Sequence, residues 1–296
     1  MSGDFFHHSS TGLISVDDLH ALMNGPDAQR VKILDATFVL PGSPLHPSQG
    51  YTLQHIPGAQ FFDIEDIADH NDPLPHMLPP AAQFERQMTL MGIGSDDFVV
   101  VYDQSGLYMA SARVWWMLRA FGHDKVCVLD GGLPAWQAAG YDLAIGDEPA
   151  PAKARFTAAF RPSLVADKLK LLAALEKGDT LILDARPAER FSGHAPEPRP
   201  GMRAGHIPGS RNLPFGSLIE PRTRTLHDPE TLAALFEAHG TDKATRIATT
   251  CGSGVTACII ALGLFRTGRK DVSVYDGSWS EWGALDSGTP IEILHT

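Results

Sequence analysis

Cysteine is scarce in this chain: three in 296 residues, an odd count with no Cys-x-x-Cys pair, which excludes a disulfide framework and a zinc knuckle. Long apolar runs are missing as well. No stretch approaches the 18 or more apolar residues of a membrane span, and Met1 to Thr11 is polar, without a basic start followed by an apolar leader, so a cytoplasmic address is expected. Positive charge is in deficit, with 24 basic against 35 acidic residues and a net charge of −11, and no long lysine or arginine run interrupts the balance. Nucleic acid and anionic membrane surfaces are therefore poor partners, and any anion site has to be local. What the chain does have is apolar content, 43%, ample for two ordinary cores at this length.

One of the three cysteines stands in a distinctive setting. An apolar run ending Arg246-Ile247-Ala248 leads into Thr249-Thr250-Cys251-Gly252-Ser253-Gly254-Val255-Thr256-Ala257, and a helix-like run from Cys258 to Phe265 follows. That order predicts strand, tight loop, helix. Two glycines let the backbone turn back on itself and approach a ligand closely, so that successive amides point inward at a helix start. An anion fits there, and a thiol in such a nest is favoured as its thiolate, the nucleophilic form. Cys127, on a strand pattern, and Cys258, two helical turns beyond Cys251, are expected to be structural.

The chain also repeats itself. Ile33-Leu34-Asp35-Ala36 recurs as Ile182-Leu183-Asp184-Ala185, and His55-Ile56-Pro57-Gly58-Ala59 as His206-Ile207-Pro208-Gly209-Ser210. Val128-Leu129-Asp130-Gly131-Gly132 with Trp136 recurs as Val274-Tyr275-Asp276-Gly277-Ser278 with Trp282. Between these anchors Val99 to Asp103 falls against Ile247 to Cys251 at an offset of 148 residues, so Asp103 stands where the second half has its cysteine. A carboxylate cannot replace a thiolate in sulfur chemistry; one half is expected to react and the other to serve as scaffold. Short apolar strands alternate with amphipathic stretches in each half, as in an α/β fold with a mainly parallel sheet flanked by helices on both faces. The expected domains are 1–145 and 161–296, joined by a proline- and alanine-rich linker over 146–160.

Taken together these motifs resemble the tandem-domain rhodanese-type sulfurtransferases, and the Cys251 loop resembles that of their 3-mercaptopyruvate sulfurtransferase branch. The resemblance spans nearly the whole chain, with Tyr51-x-x-x-His55-Ile56-Pro57-Gly58-Ala59 matching the N-terminal signature and Tyr275 to Trp282 the C-terminal one. It implies two rhodanese-like domains, the second catalytic, and transfer of sulfane sulfur from 3-mercaptopyruvate through a Cys251 persulfide, with pyruvate released. No metal or organic cofactor is implied. The acceptor would be a thiol, on a thioredoxin-like protein or a small molecule, or cyanide in a test tube, and a monomer is expected. Thiosulfate sulfurtransferases typically carry an arginine and a lysine directly after the cysteine, suited to a dianionic donor, whereas Gly252-Ser253 is neutral and suits a monoanionic keto acid.

By the same resemblance Arg190 and Arg199 hold the donor's carboxylate, a task for which arginine's planar fork is suited. Tyr108 lines the pocket, and the backbone around Gly252, Gly254, Val255 and Thr256 stabilises the outer sulfur. Ser253 with His55 resembles the family's proton relay, although Pro41 to Gln54 lacks the acidic residue placed shortly before that histidine. His206 is the twin of His55 in the same turn. Two rival readings are open: thiosulfate as the donor, and a non-catalytic binding module. A phosphatase of related fold would need five intervening residues after the cysteine and then arginine, and here that position is Ala257.

Overall fold

A computed structural model describes residues 3–39 and 46–294 and divides them into two compact units. The first comprises 1–69, 79–161 and 220–226; the second comprises 70–78, 162–219 and 227–296. Two short segments therefore belong with the half to which they are not adjacent in sequence. No described helix is long and apolar enough to cross a membrane.

The first unit is built on strands β1 (Leu13–Ile14), β2 (Val31–Asp35), β3 (Ala59–Phe61), β4 (Phe98–Tyr102) and β5 (Val126–Leu129), ordered β1-β5-β4-β2-β3, and every pairing is parallel. The second has β6 (Val165–Ala166), β7 (Thr180–Asp184), β8 (Arg211–Asn212), β9 (Arg246–Thr250) and β10 (Ser273–Tyr275), ordered β6-β10-β9-β7-β8 and likewise all parallel. The duplication extends to register. Asp35 pairs with Tyr102 on β4, and Asp184 pairs with Thr250 on β9, so Asp103 and Cys251 each follow the same rung of the ladder.

Parallel strands covered on both faces read as continuous apolar runs, as in Phe98-Val99-Val100-Val101-Tyr102, which is buried throughout. The helices after the two central strands are buried almost all round: α1 (Met109–Ala120), and α3 (Ala257–Arg266), in which every residue except Arg266 is inaccessible. Gly263 in the middle of α3 allows a close approach, since a Cβ there would lie 2.8 Å from Leu218 Cδ2 and 2.9 Å from Phe236 Cζ. Trp115 and Trp116 on α1 lie in the core, with the guanidiniums of Arg119 and Arg113 over their rings at 4.9 and 4.5 Å.

Residues 146–160 run along the first unit. Phe156 is buried, its amide donates to Thr89 Oγ1 at 3.2 Å, and the Thr157 amide donates to Ser95 Oγ at 2.9 Å. Phe156 also lies beside His123, with 5.5 Å between ring centroids. Burial, and then the nearby Lys125 charge, push the His123 pKa down to about 4. A histidine held neutral in the fold but titrating near 6.5 when unfolded contributes stability above its unfolded pKa, and that contribution is lost as pH falls from about 6.5 toward 4. The first unit should thus lose about 3 kcal/mol over that window. Urea titrations at pH 7 and pH 4.5 should show a smaller acid loss in His123→Gln than in the wild type; equal losses would show that His123 is not the group responsible.

Candidate functional site

The second unit carries Cys251 at the carboxyl end of β9, between β10 and β7 in the interior of the sheet, where open α/β sheets place their ligand sites. The thiol residue is 2% exposed. Its loop is pinned from one side by α4 (Ser278–Trp282): the Cys251 amide donates to Ser278 Oγ at 3.2 Å, and the Trp279 amide donates to Cys251 O at 3.0 Å. The Ser280 amide and hydroxyl donate to Gly252 O at 2.8 and 2.7 Å. Gly254 has φ 76°, the left-handed turn that glycine permits. The Cys258 thiol donates to Gly254 O at 3.3 Å, so the second cysteine of the loop-helix junction ties the turn together.

The carbonyls of the loop are engaged in this way, whereas several of its amides are not. Those of Gly252, Ser253, Val255 and Thr256 make no hydrogen bond among the described residues, and Thr256 at the N-terminus of α3 offers no side-chain cap. Unpaired amides at the start of a helix suit an anion. Cys251, Gly254 and Val255 are buried, while Gly252, Ser253 and Thr256 are partly exposed, which leaves the loop accessible on one side.

Both expected arginines border this loop. Arg190 lies on the short helix α2 (Ala188–Ser192) and its guanidinium hangs over the residue after the cysteine, for a Cβ at Gly252 would lie 3.2 Å from Arg190 Nη2. Arg199 donates to Ser280 Oγ at 3.3 Å. Arg190, Pro198, Arg199, Met202, Gly252 and Trp279 share a small pocket with Glu197 and Ser280.

Behind Arg190 lies a chain of charges that the sequence did not announce. Arg190 Nε donates to Glu197 Oε1 at 3.2 Å, and Nη2 donates to Oε2. Arg186 Nη1 donates to the same Glu197 at 2.8 Å, while Nε and Nη2 donate to Asp184 at 2.7 to 3.1 Å. Burial works against the Arg186 charge, and the paired Asp184 and Glu197 outweigh it and raise its pKa. In the first unit Thr37 takes the place of Arg186 and bonds Asp35, so this chain of charges belongs to the second half alone.

His76, within the segment 70–78 that belongs to the second unit, is another residue the sequence reading missed. It is buried, has φ 61°, and its Nε2 lies 3.4 Å from Arg199 Nη2. The Leu78 amide donates to Asp276 Oδ2 at 2.8 Å and fastens the segment to the end of β10. A proline-rich stretch, Asp72 to Pro80, offers no periodicity that would assign it to a site in the other half; a left-handed histidine followed by an amide that hydrogen-bonds the aspartate at the end of β10 is a signal only in three dimensions.

His55 and Tyr108 belong to the first unit. His55 is buried, with Nδ1 2.9 Å from Tyr51 O and Nε2 3.2 Å from Glu148 Oε1, and Glu148 also accepts from the Gly58 amide at 2.7 Å. His206 repeats this arrangement with Phe191 O at 2.8 Å and Glu292 at 3.6 Å, and Glu292 accepts from the Gly209 amide at 3.1 Å. The same device fixes the His-x-Pro-Gly turn in both halves, and the carboxylate comes from far downstream rather than from 41–54. The Tyr108 hydroxyl donates to Asp130 and accepts from the Gly131 and Leu226 amides at 3.1 and 2.8 Å. These bonds tie the 220–226 segment to the turn after β5. Cys127 is fully buried on β5, and burial pushes its thiol well up from the ordinary range.

Comparison with known proteins bears on this geometry. A family model described as a rhodanese-like domain matches residues 15–139 and 167–285. The chain is 43% identical to thiosulfate/3-mercaptopyruvate sulfurtransferase 1, mitochondrial, of Arabidopsis thaliana, over 97% of this chain and 80% of that protein. It is 42% identical to the 3-mercaptopyruvate sulfurtransferase of Escherichia coli K12, over 96% and 99% respectively. The crystal structure of SseA from Escherichia coli, described as a 3-mercaptopyruvate sulfotransferase of rhodanese fold, superposes with a TM-score of 0.81 at 39% identity, covering 92% of this chain and 100% of that one.

Proposed function

The chain belongs to the rhodanese-like family, with the family's domain present twice, and from that premise we propose that it is a 3-mercaptopyruvate sulfurtransferase whose second unit is catalytic. The observation that carries the reading is the guanidinium of Arg190 above Gly252, next to a buried thiol in a loop whose Gly252, Ser253, Val255 and Thr256 amides make no hydrogen bond among the described residues. A keto acid thiol has its sulfur three bonds from its carboxylate carbon, so a carboxylate held by Arg190 and Arg199 brings that sulfur toward Cys251. The name of the relative from Escherichia coli, alignable over almost its entire length, supports the same donor.

In the proposed reaction the Cys251 thiolate attacks the donor's sulfur. An S–S bond forms, the S–C bond breaks, and its electron pair becomes the enolate of pyruvate. The proton carried by the donor's thiol, or one from the pocket, moves to the methylene carbon and completes pyruvate. The amides after Cys251 stabilise the terminal persulfide anion. A thiolate acceptor then attacks the outer sulfur, takes it as a persulfide and returns Cys251 to its starting state, giving ping-pong kinetics. Ser253, partly exposed on the loop, is proposed as the hydroxyl of the proton path. For the imidazole the geometry favours His76, which touches Arg199, over His55, whose two ring nitrogens face Tyr51 O and Glu148.

The acceptor in this reading is a thiol, on a thioredoxin-like protein or a small molecule, with cyanide as a laboratory substitute, and the chain acts as a monomer. Domains at 1–145 and 161–296 remain the proposed division by sequence. A cytoplasmic address is supported by three cysteines that form no disulfide, which suits a reducing compartment, while one relative is named as mitochondrial. Intact mass after mixing the protein with 3-mercaptopyruvate or thiosulfate, with no acceptor, tests the donor. A gain of one sulfur atom, faster from 3-mercaptopyruvate, is the expected result. Faster loading from thiosulfate would move the donor assignment, and no gain from either would favour a binding module.

A further inference from the structure

We propose that Glu197 sets the charge of the donor pocket and thereby selects a monoanionic donor over a dianionic one, a role that rests on the sulfurtransferase reading above. The ionised residues lining the pocket are Arg190, Arg199 and Glu197. Two guanidiniums against one carboxylate leave these three side chains with a single net positive charge, which the neighbouring Cys251 thiolate reduces further. Behind them Arg186 and Asp184 form a buried pair that balances itself, with Oδ2 to Nη2 at 2.7 Å. Glu197 is only 4% exposed at its side chain, so its charge is poorly screened by water and acts at close range on Arg190.

A monoanionic keto acid is the smaller demand on a pocket so weakly positive. A dianion such as thiosulfate would bring one more negative charge close to a buried carboxylate. The orientation of Arg190 adds a second restriction. Glu197 takes the Nε–Nη2 edge of the guanidinium, which leaves the donor the Nη1–Nη2 edge. Discrimination by Glu197 is separate from the neutrality of Gly252-Ser253, because it acts through the arginine that holds the donor and not through the residues beside the nucleophile.

Glu197→Gln keeps the volume and removes the charge. Both donors gain attraction from the bared arginine, the dianion twice as much, so the ratio of kcat/KM for thiosulfate to that for 3-mercaptopyruvate should rise about tenfold, chiefly through KM. Glu197→Asp keeps the charge on a shorter stem; it loosens Arg190 and lowers both rates, and its ratio should stay within about twofold of the wild type. Any shared loss from imperfect packing cancels in the ratio, and circular dichroism confirms that each variant is folded. An unmoved ratio in Glu197→Gln, or a shift of equal size in Glu197→Asp, overturns the role. Sulfur loading of the wild type from each donor, measured in the same series, keeps the two questions apart. A wild type that loads from neither donor overturns the donor assignment and the role of Glu197 together, whereas one that loads while Glu197→Gln leaves the ratio unmoved overturns the role of Glu197 alone.

Discussion

Cys251→Ser gains no sulfur from 3-mercaptopyruvate in an intact-mass experiment, and its steady-state rate with a thiol acceptor falls by about a thousandfold or more. The reason is chemical: a serine hydroxyl is not ionised near neutral pH and has no affinity for sulfane sulfur, so both half-reactions lose their carrier. Structure is not expected to contribute to the loss. The backbone of Cys251, its amide on Ser278 Oγ and its carbonyl under the Trp279 amide, holds the loop without help from the side chain. Thermal unfolding of the variant should therefore stay within about 1 kcal/mol of the wild type. Retention of more than about a tenth of the wild-type rate would mean that another group carries the sulfur, and neither Cys127 nor Cys258 is placed for it, one being sealed on β5 and the other bonded beneath the loop.

The largest loss of stability is expected from Arg186→Met. Arg186 is 1% exposed, and it balances Asp184 and shares Glu197 with Arg190 while its guanidinium lies 4.2 Å from the Trp279 ring centroid and donates to Gly205 O at 2.9 Å. Methionine fills much of the space but leaves the carboxylate of Asp184, fully buried, with the amide of residue 186 as its one remaining partner among the described residues, and removes one of the two cations on Glu197. Removing one partner of such a buried pair costs about 3–5 kcal/mol. For a unit of this size that corresponds to a fall of roughly 10 °C in Tm, with hydrogen exchange rising around β7 and α2. Asp184→Asn combined with Arg186→Met removes both charges and should recover part of the loss; a double variant no better than the single one would show that packing against Trp279, and not the charge, is what Arg186 supplies.

The sequence was most legible where the physics is local. Strand, glycine loop and helix around Cys251 follow from residue types within a dozen positions, and the parallel sheets follow from two sets of apolar runs separated by amphipathic stretches. The duplication could be read from four short anchors, and with it the replacement of the cysteine by Asp103, whose carboxylate in the structure accepts from Ser105 and Ser111 and closes the corresponding turn of the first unit. Long-range partners were out of reach. Glu148 meets His55 across 93 residues and His76 meets Arg199 across 123, and neither separation leaves a trace in periodicity or spacing. Arg186 was visible as a difference between Asp35-Ala36-Thr37 and Asp184-Ala185-Arg186, yet its meaning depended on a glutamate eleven residues on that only folding brings beside it. Tyr108 was placed by the resemblance alone; the bond its hydroxyl accepts from the Leu226 amide, 118 residues away, left no trace in the sequence.

Those two exchanged segments change what the ancestral copying event left behind. Cleavage between 161 and 162 would separate the sequence repeats cleanly, but each product would be missing a part: the later one His76 and the Leu78 amide that Asp276 accepts, the earlier one the Leu226 amide that completes the Tyr108 hydroxyl. A duplicate that begins as an independent module has in this way come to share chain with its sister. Although the first copy carries an aspartate where its sister carries the nucleophile, it cannot be deleted, exchanged or shuffled into another gene without taking a piece of the reacting copy with it, and its retention needs no activity of its own.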